Sequence, residues 1–242
     1  MDSLTSSEAE ASPALVEEYQ QWRAVGPGGA PFDWNGFMLC KKAEITQARD
    51  DTTNLALYDS PEQYAKGWKE ATEAQRRAAQ TCFLKQPLPE RPGPRSRAKH
   101  FVFPQRERND GEPQDAQVQA AYQTAFEQLG EVNSRVEWKT SVLEKHGRAL
   151  FLQDPVTPLI SSSKGEICHV HRSDLSGHVT LSFADAREVI GKGWGERHRL
   201  SGTETLHLGY TMLYVPRNVA EVEVYAQIYQ AGIEYMTSGH QE

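Results

Sequence analysis

Four of the eight histidines, His169, His171, His178 and His198, fall within the stretch Lys164 to Gly202, and His207 follows shortly after. Imidazole titrates at about pH 6.5, so such a cluster, with Asp174, Glu196, Arg197 and Arg199 close in sequence, can move protons, steady an oxyanion or bind a metal. His169 and His171 form an H-x-H pair. On a β-strand they project from one face, as two metal ligands do, or a base with its orienting partner, or two polar residues with a structural role. No third ligand stands at a diagnostic spacing. A cupin-like site would want a Glu shortly after the pair, whereas the nearest acid is Asp174, so the spacing favours a metal-free acid/base or binding role. His178 opens the next expected strand, where antiparallel pairing would bring it within reach of His171.

The string Lys192-Gly-Trp-Gly-Glu-Arg-His198 is the second concentration of chemistry. Gly191, Gly193 and Gly195 allow backbone N–H groups to approach a ligand, and Trp194 offers a flat apolar surface to an aromatic one. Glu196, Arg197 and His198 add an acid, a fixed cation and a titratable base; a helix end followed by a surface loop with a salt bridge is the plainer alternative. Tyr210 and Tyr214 lie on a following strand. Arg217, at its end, can meet a carboxylate or enolate, or pair with Glu221 or Glu223. The spacing matches neither G-x-G-x-x-G nor the phosphate loop, and no serine stands in a G-x-S-x-G elbow.

The elements that must position these groups follow from periodicity. Leu15, Tyr19, Trp22 and Val25 predict a helix opened by Pro13 and stopped by the glycines at 26–29. Short strands are expected at 34–39 and 55–58, a helix from Ser60 to about Cys82, and a strand at His100 to Phe103. The four prolines of residues 86–95 exclude a helix or central strand, leaving a surface connector or a gating loop. A helix is predicted over 116–129, strands over 134–140 and 148–152, and a hairpin of 166–172 and 178–182 about the turn RSDLSG. Ser182 caps a helix over 183–191, residues 193–202 form a loop, 206–216 a strand, and 219–236 a closing amphipathic helix. Mixed strands and helices with hairpins give an α+β class: a single compact domain over 13–238 with a mixed or antiparallel sheet, after a disordered acidic tail at 1–12.

Composition sets the boundaries. The chain has 242 residues, 38% hydrophobic and 24% charged, enough for a core without staples. A net charge of −7 argues against nucleic acid as the main partner. The three cysteines, Cys40, Cys82 and Cys168, are too scattered for a disulfide framework or a zinc spacing. The start MDSLTSSEAEASP lacks the pattern of a signal peptide, and no apolar run approaches the roughly 18 residues of a membrane span. A cytoplasmic monomer or homodimer without membrane anchor is expected.

The string EICHVHRSDLSGHVTLSFADAREVIGKGWGERHRLSG, followed by TMLYVPRNVAEVEVYAQIYQAGIEYMT, resembles the fungal luciferase family, as do YQQWRAVGPGGAP at 19–31 and LALYD at 55–59. That family includes the enzyme that oxidises 3-hydroxyhispidin in luminous fungi. The resemblance implies a cofactor-independent oxygenase: a base deprotonates an electron-rich ring, O₂ adds, and cations or N–H groups stabilise the enolate and peroxide in a dry pocket. It carries His169, His171, His178, Glu196, Arg197 and His198 as catalytic residues; Asp174, Trp194, Tyr210, Tyr214 and Arg217 are the substrate-binding candidates that the residues themselves offer, and no metal is expected. Two departures stand out. Luminous members resemble membrane-anchored proteins, whereas this N-terminus is polar; and Arg199 follows His198 where the family pattern has proline, which suggests an acidic ligand. The expected function is tailoring of an enolisable polyketide, pyrone or terpenoid-type small molecule in fungal specialised metabolism, with O₂ as co-substrate. A non-oxidative cyclase or isomerase, and a non-catalytic carrier of a hydrophobic metabolite, are the alternatives.

Overall fold

The spacing of Leu15, Tyr19, Trp22 and Val25 folds as α1 (Pro13–Val25), with the Ser12 hydroxyl accepting from the Leu15 N–H as N-cap. The computed structural model describes residues 8–98, 101–107, 114–131 and 133–238. Of the expected tail, residues 1–7 lie outside the described residues, and Glu8–Glu10 make one 3₁₀ turn. The strand expected at 34–39 is instead the start of α2 (Trp34–Thr46). The Asp33 carboxylate accepts from the Gly36 N–H, and Phe37, Cys40 and Ala43 bury one face at helical spacing. Residues 55–58 likewise form no strand, and Ala56–Asp59 is a 3₁₀ turn.

The single helix expected over 60–82 is broken into α3 (Pro61–Tyr64) and α4 (Glu73–Gln80). Between them Gly67 adopts φ +76°, and a Cβ there would stand 2.1 Å from the Pro158 carbonyl oxygen, so backbone packs on backbone where a continuing helix would clash. Thr72 and Gln75 then open α4 with a reciprocal capping box. The proline-rich stretch is a connector fastened along its length. Arg91 pairs with Glu221 at 2.8 Å, the Trp194 indole N–H donates to the Pro89 carbonyl, and Arg95 donates to the Ile190 carbonyl. Phe101 to Phe103 joins no strand, the Phe103 carbonyl accepting instead from the Trp22 indole; His100 lies outside the described residues.

After α5 (Ala116–Gln128) come β1 (Val136–Thr140), β2 (Arg148–Leu152), β3 (Glu166–Val170) and β4 (Gly177–Thr180). Ser182 caps α6 (Phe183–Gly191) as expected. The expected loop contains β5 (Gly195–Arg197), which lies against β6 (Tyr210–Leu213), and α7 (Val219–Ser238) closes the chain. All six strands pair antiparallel in the order β1-β2-β3-β4-β6-β5, so the fold is α+β with an open antiparallel sheet. Among the described residues no helix is long and apolar enough to cross a membrane.

The register divides the sheet by chemistry. Leu150, Cys168, Val179, Thr211 and Arg197 align across the strands on one face, and on the other stand Ala149, His169, His178, Met212 and Glu196. The first face supplies Leu150, Cys168, Val179 and Leu213 to the main core, where Val222, Tyr225, Ile228 and Tyr229 of α7 cover it. Tyr210, on the histidine side, packs instead with Tyr19, Trp22, Trp34 and Phe37 of α1 and α2. The β2–β3 ladder is interrupted once: Leu150 pairs with Cys168, but Phe151 pairs with Glu166, leaving Ile167 as an extra residue. This bulge turns Glu166 to the face that carries His169 and sends Ile167 into the apolar core.

Candidate functional site

Adjacent strands bring three imidazoles together. His169 of β3 stands opposite His178 of β4, and the ring centroids of His169, His171 and His178 lie 5.0–5.1 Å apart. All three are buried. Tyr210 of β6 stacks on His178 at 5.1 Å with 6° between the planes, and His198 lies 5.4 Å from His178. From the turn between β1 and β2, Glu144 reaches the same point, its Oε1 4.0 Å from Nε2 of His169 and 3.9 Å from Nε2 of His171. Its Oε2 accepts from the buried Arg106 at 3.1 Å.

Each histidine is oriented by a partner behind it. Nδ1 of His169 lies 2.6 Å from Oε1 of Glu166, a fully buried carboxylate that also accepts from the Ser141 hydroxyl and the Val142 and Leu143 N–H groups. Burial pushes the Glu166 carboxyl up, but the His169 contact, the Leu143 N–H and the Ser141 hydroxyl outweigh it and hold the group below its ordinary range. An ionised carboxylate only accepts, so Nδ1 of His169 carries the hydrogen. Nδ1 of His171 lies 2.9 Å from the Ser176 hydroxyl, which lies 2.7 and 2.9 Å from the two oxygens of buried Asp174. The Ser176 hydrogen therefore goes to Asp174, and its oxygen accepts from His171. With both rings neutral, the two Nε2 atoms are acceptors and lie 3.2 Å apart.

Burial, followed by the charge of Arg106 and neighbouring imidazoles, holds His171 well below its ordinary pKa; burial and the neighbouring imidazoles do the same for His178. His198 is pushed down to about 3 by burial, then by Arg199 and His169. Its Nδ1 accepts from the Leu200 N–H, so the neutral ring carries its hydrogen on Nε2. His178, His198, Tyr210 and Glu144, with apolar residues such as Phe103 and Leu143, line a cavity of about 520 Å³, and His169 and His171 stand one layer behind.

The other expected residues are elsewhere. Glu196 shares the histidine face, but Met212 separates it from His178 in the register, and its carboxylate accepts from Tyr214 and Gln105. Arg197 points to the opposite face, donating to the carbonyls of Asn54 and Asp51 and to the Asp51 carboxylate. Trp194 is buried against Tyr225 and Arg91 and offers no ligand surface. Arg217 binds the carbonyls of Pro92 and Pro94. Arg199, read as a cation for an acidic ligand, is paired with Asp50 and Glu44. Asp174 acts through Ser176 on His171, and Tyr210 belongs to the cavity wall. Sequence reasoning missed Glu144, Glu166, Ser176 and Arg106. Glu144 lies in the connection between the strands expected at 134–140 and 148–152; Glu166 needs the bulge, which no spacing rule shows.

The fold and site define an α+β protein whose antiparallel sheet carries a buried histidine and carboxylate cluster beside a cavity. The Luciferase domain model matches residues 164–232, which hold all three imidazoles. Over 94% of its length the chain is 29% identical to the luciferase of Neonothopanus nambi, covering 83% of that protein. It is 28% identical to the luciferase of Armillaria ostoyae and 29% identical to that of Armillaria gallica, each over 94% of this chain and 84% of the relative. No solved structure matches. The chain is thus similar to the fungal luciferases over most of its length.

Proposed function

We propose that this chain is an enzyme that oxygenates an enolisable, partly aromatic small molecule held in the cavity beside the histidines. The observation that carries the reading is the wall formed by His178, His198, Tyr210 and Glu144. Its polar groups are complementary to an enol. Glu144 presents Oε1 as an acceptor for the enol proton, and neutral His198 presents Nε2–H to the oxygen on which negative charge develops. The carbanionic carbon of the enolate then donates its electron pair to a new bond with O₂, whose π bond opens to leave a peroxide anion that takes back the proton held by Glu144. Phe103, Leu143 and the ring of Tyr210 supply apolar surface for a planar substrate and limit water near the enolate. The relatives named luciferase support an oxygen-dependent reaction; they do not fix the substrate, for which hydroxypyrones and enolisable polyketides are the classes to try.

The test is oxygen uptake with a panel of such compounds, paired with product analysis under strict anaerobiosis. Consumption of O₂ in proportion to substrate is the expected result. Turnover undiminished without oxygen would instead mark a cyclase or isomerase, and stoichiometric binding with no turnover a carrier. Replacing the oxyanion donor, His198→Ala, is expected to lower kcat by about 10²–10³ while substrate affinity changes far less.

A further inference from the structure

We propose that Glu144, His169, His171 and His178 form a binding site for one divalent first-row transition-metal ion. A ring nitrogen from each histidine and a carboxylate oxygen of Glu144 all lie within 4.8 Å of one another. The site rests on how closely the donor atoms converge. Glu166 takes the Nδ1 hydrogen of His169, and Ser176, committed to Asp174, takes that of His171. With both rings neutral, two nitrogen lone pairs face each other across 3.2 Å, and Oε1 of Glu144 lies 3.9–4.0 Å from both. Like-signed atoms in a buried space repel unless a cation lies between them. A single shared proton would satisfy the two nitrogens and leave His178, whose Nδ1 is buried without a hydrogen-bond partner among the described residues.

The dimensions suit an ion. Two donors each about 2.1 Å from a common centre stand about 3.0–3.6 Å apart for angles between 90° and 120°. The Nε2 pair already satisfies this, and Glu144 reaches it by a carboxylate shift of roughly half an ångström. Its other oxygen is anchored by Arg106, which leaves Oε1 facing the imidazoles. The carboxylate behind His169 and the Ser176–Asp174 pair behind His171 are the kind of support that fixes the tautomer of metal-bound imidazoles. Three neutral nitrogens and one carboxylate suit iron, cobalt, nickel, copper or zinc better than the oxygen-seeking calcium or magnesium. Glu144 and His178 also line the cavity, so a further coordination position can open toward a ligand there. This inference concerns the site of the proposed reaction and adds to that reading: a bound ion would take over from Glu144 the task of favouring the enolate.

Binding is read without substrate, so its failure and that of the oxygenase proposal are separable. Protein stripped with chelator and exchanged into chelator-free buffer is titrated with Co(II), Zn(II) and, anaerobically, Fe(II). Calorimetry and elemental analysis after gel filtration give affinity and stoichiometry. The expected result is one ion per chain. Glu144→Gln, His171→Gln and His178→Gln should each weaken binding by about 100-fold or more, and Glu166→Gln, which touches no ion, by about 10–100-fold. His207→Asn, away from the cluster, should leave affinity unchanged. Nitrogen couplings in the Cu(II) resonance spectrum report imidazole ligands even where a variant is too unstable to titrate. No stoichiometric binding by the wild type, binding that survives all three ligand substitutions, or a copper spectrum without nitrogen couplings would overturn the proposal.

Discussion

At the scale of single residues, what a histidine can do here is decided by its partner rather than by its own type. Glu166 and Ser176 turn the lone pairs of His169 and His171 inward, whereas the Leu200 N–H turns the hydrogen of His198 toward Nε2. His207 is a structural counterpart. It stacks on Phe183, accepts from the Gly209 N–H and contacts the Tyr235 hydroxyl, and burial pushes it down to about 3. The unfolded chain takes up this proton at about pH 6.5 and the folded chain does not until about pH 3, so the unfolded state binds more protons throughout that window. Above it His207 adds no pH dependence; below pH 6.5 stability is lost, with a slope approaching about 1.4 kcal/mol per pH unit from this group. His207→Asn keeps an acceptor for Gly209 and removes the titration. Denaturant midpoints across pH 4–7 should therefore fall less steeply in the variant than in the wild type.

At the scale of elements, segments near the site are held by buried ion pairs that local sequence patterns do not reveal. Arg91 and Glu221 tie the proline connector to α7, and Arg91 also donates to the Val215 carbonyl just beyond β6. Glu221→Ala strands a buried guanidinium and is expected to cost about 3–5 kcal/mol, read by chemical denaturation. The elements that were legible in the sequence, α1, α5, α6, α7, the strands β1 and β2 and the hairpin of β3–β4, have strong local signals: apolar spacing, caps, or a polar turn between apolar runs. Those misread are decided by distant contacts. Trp34 to Leu39 is apolar enough for a strand, but the Asp33 cap and burial of Phe37 and Cys40 against α1 make it helical. The glycines of GKGWGERH suggest an open loop, yet Gly195 is needed because a Cβ there would stand 2.3 Å from the Met212 carbonyl oxygen across a strand pair.

At the scale of the whole molecule, the sheet keeps two environments apart. One face is sealed by α7 with apolar side chains, and the other holds polar groups that need partners because they too are buried. The H-x-H pair and His178 were legible as a cluster because strand alternation alone puts them on one side. Glu144 was not, because only the order of β1, β2 and β3 in the sheet carries the first hairpin turn over the histidines. The same separation accounts for Arg197 and Trp194. They neighbour Glu196 and His198 in sequence, yet alternation and the close of α6 bury them elsewhere.

The extra residue in β3 has a consequence for how this site is written in other chains. With Ile167 present, the pattern that places a carboxylate behind the first imidazole is E-x-x-H-x-H; an unbulged strand puts the acid on the same face with E-x-H-x-H, but at a different distance. Removing Ile167 would restore an even ladder and hold the number of acids and histidines constant, yet Glu166 would fall into step with the strand's alternation at a new distance from His169, its contacts with Ser141, Val142 and Leu143 displaced. A chain folded about this deletion is expected to keep its helical circular dichroism while binding metal weakly. For this architecture, a pattern that counts only the ligands would accept such a chain, and one that counts the inserted residue would not.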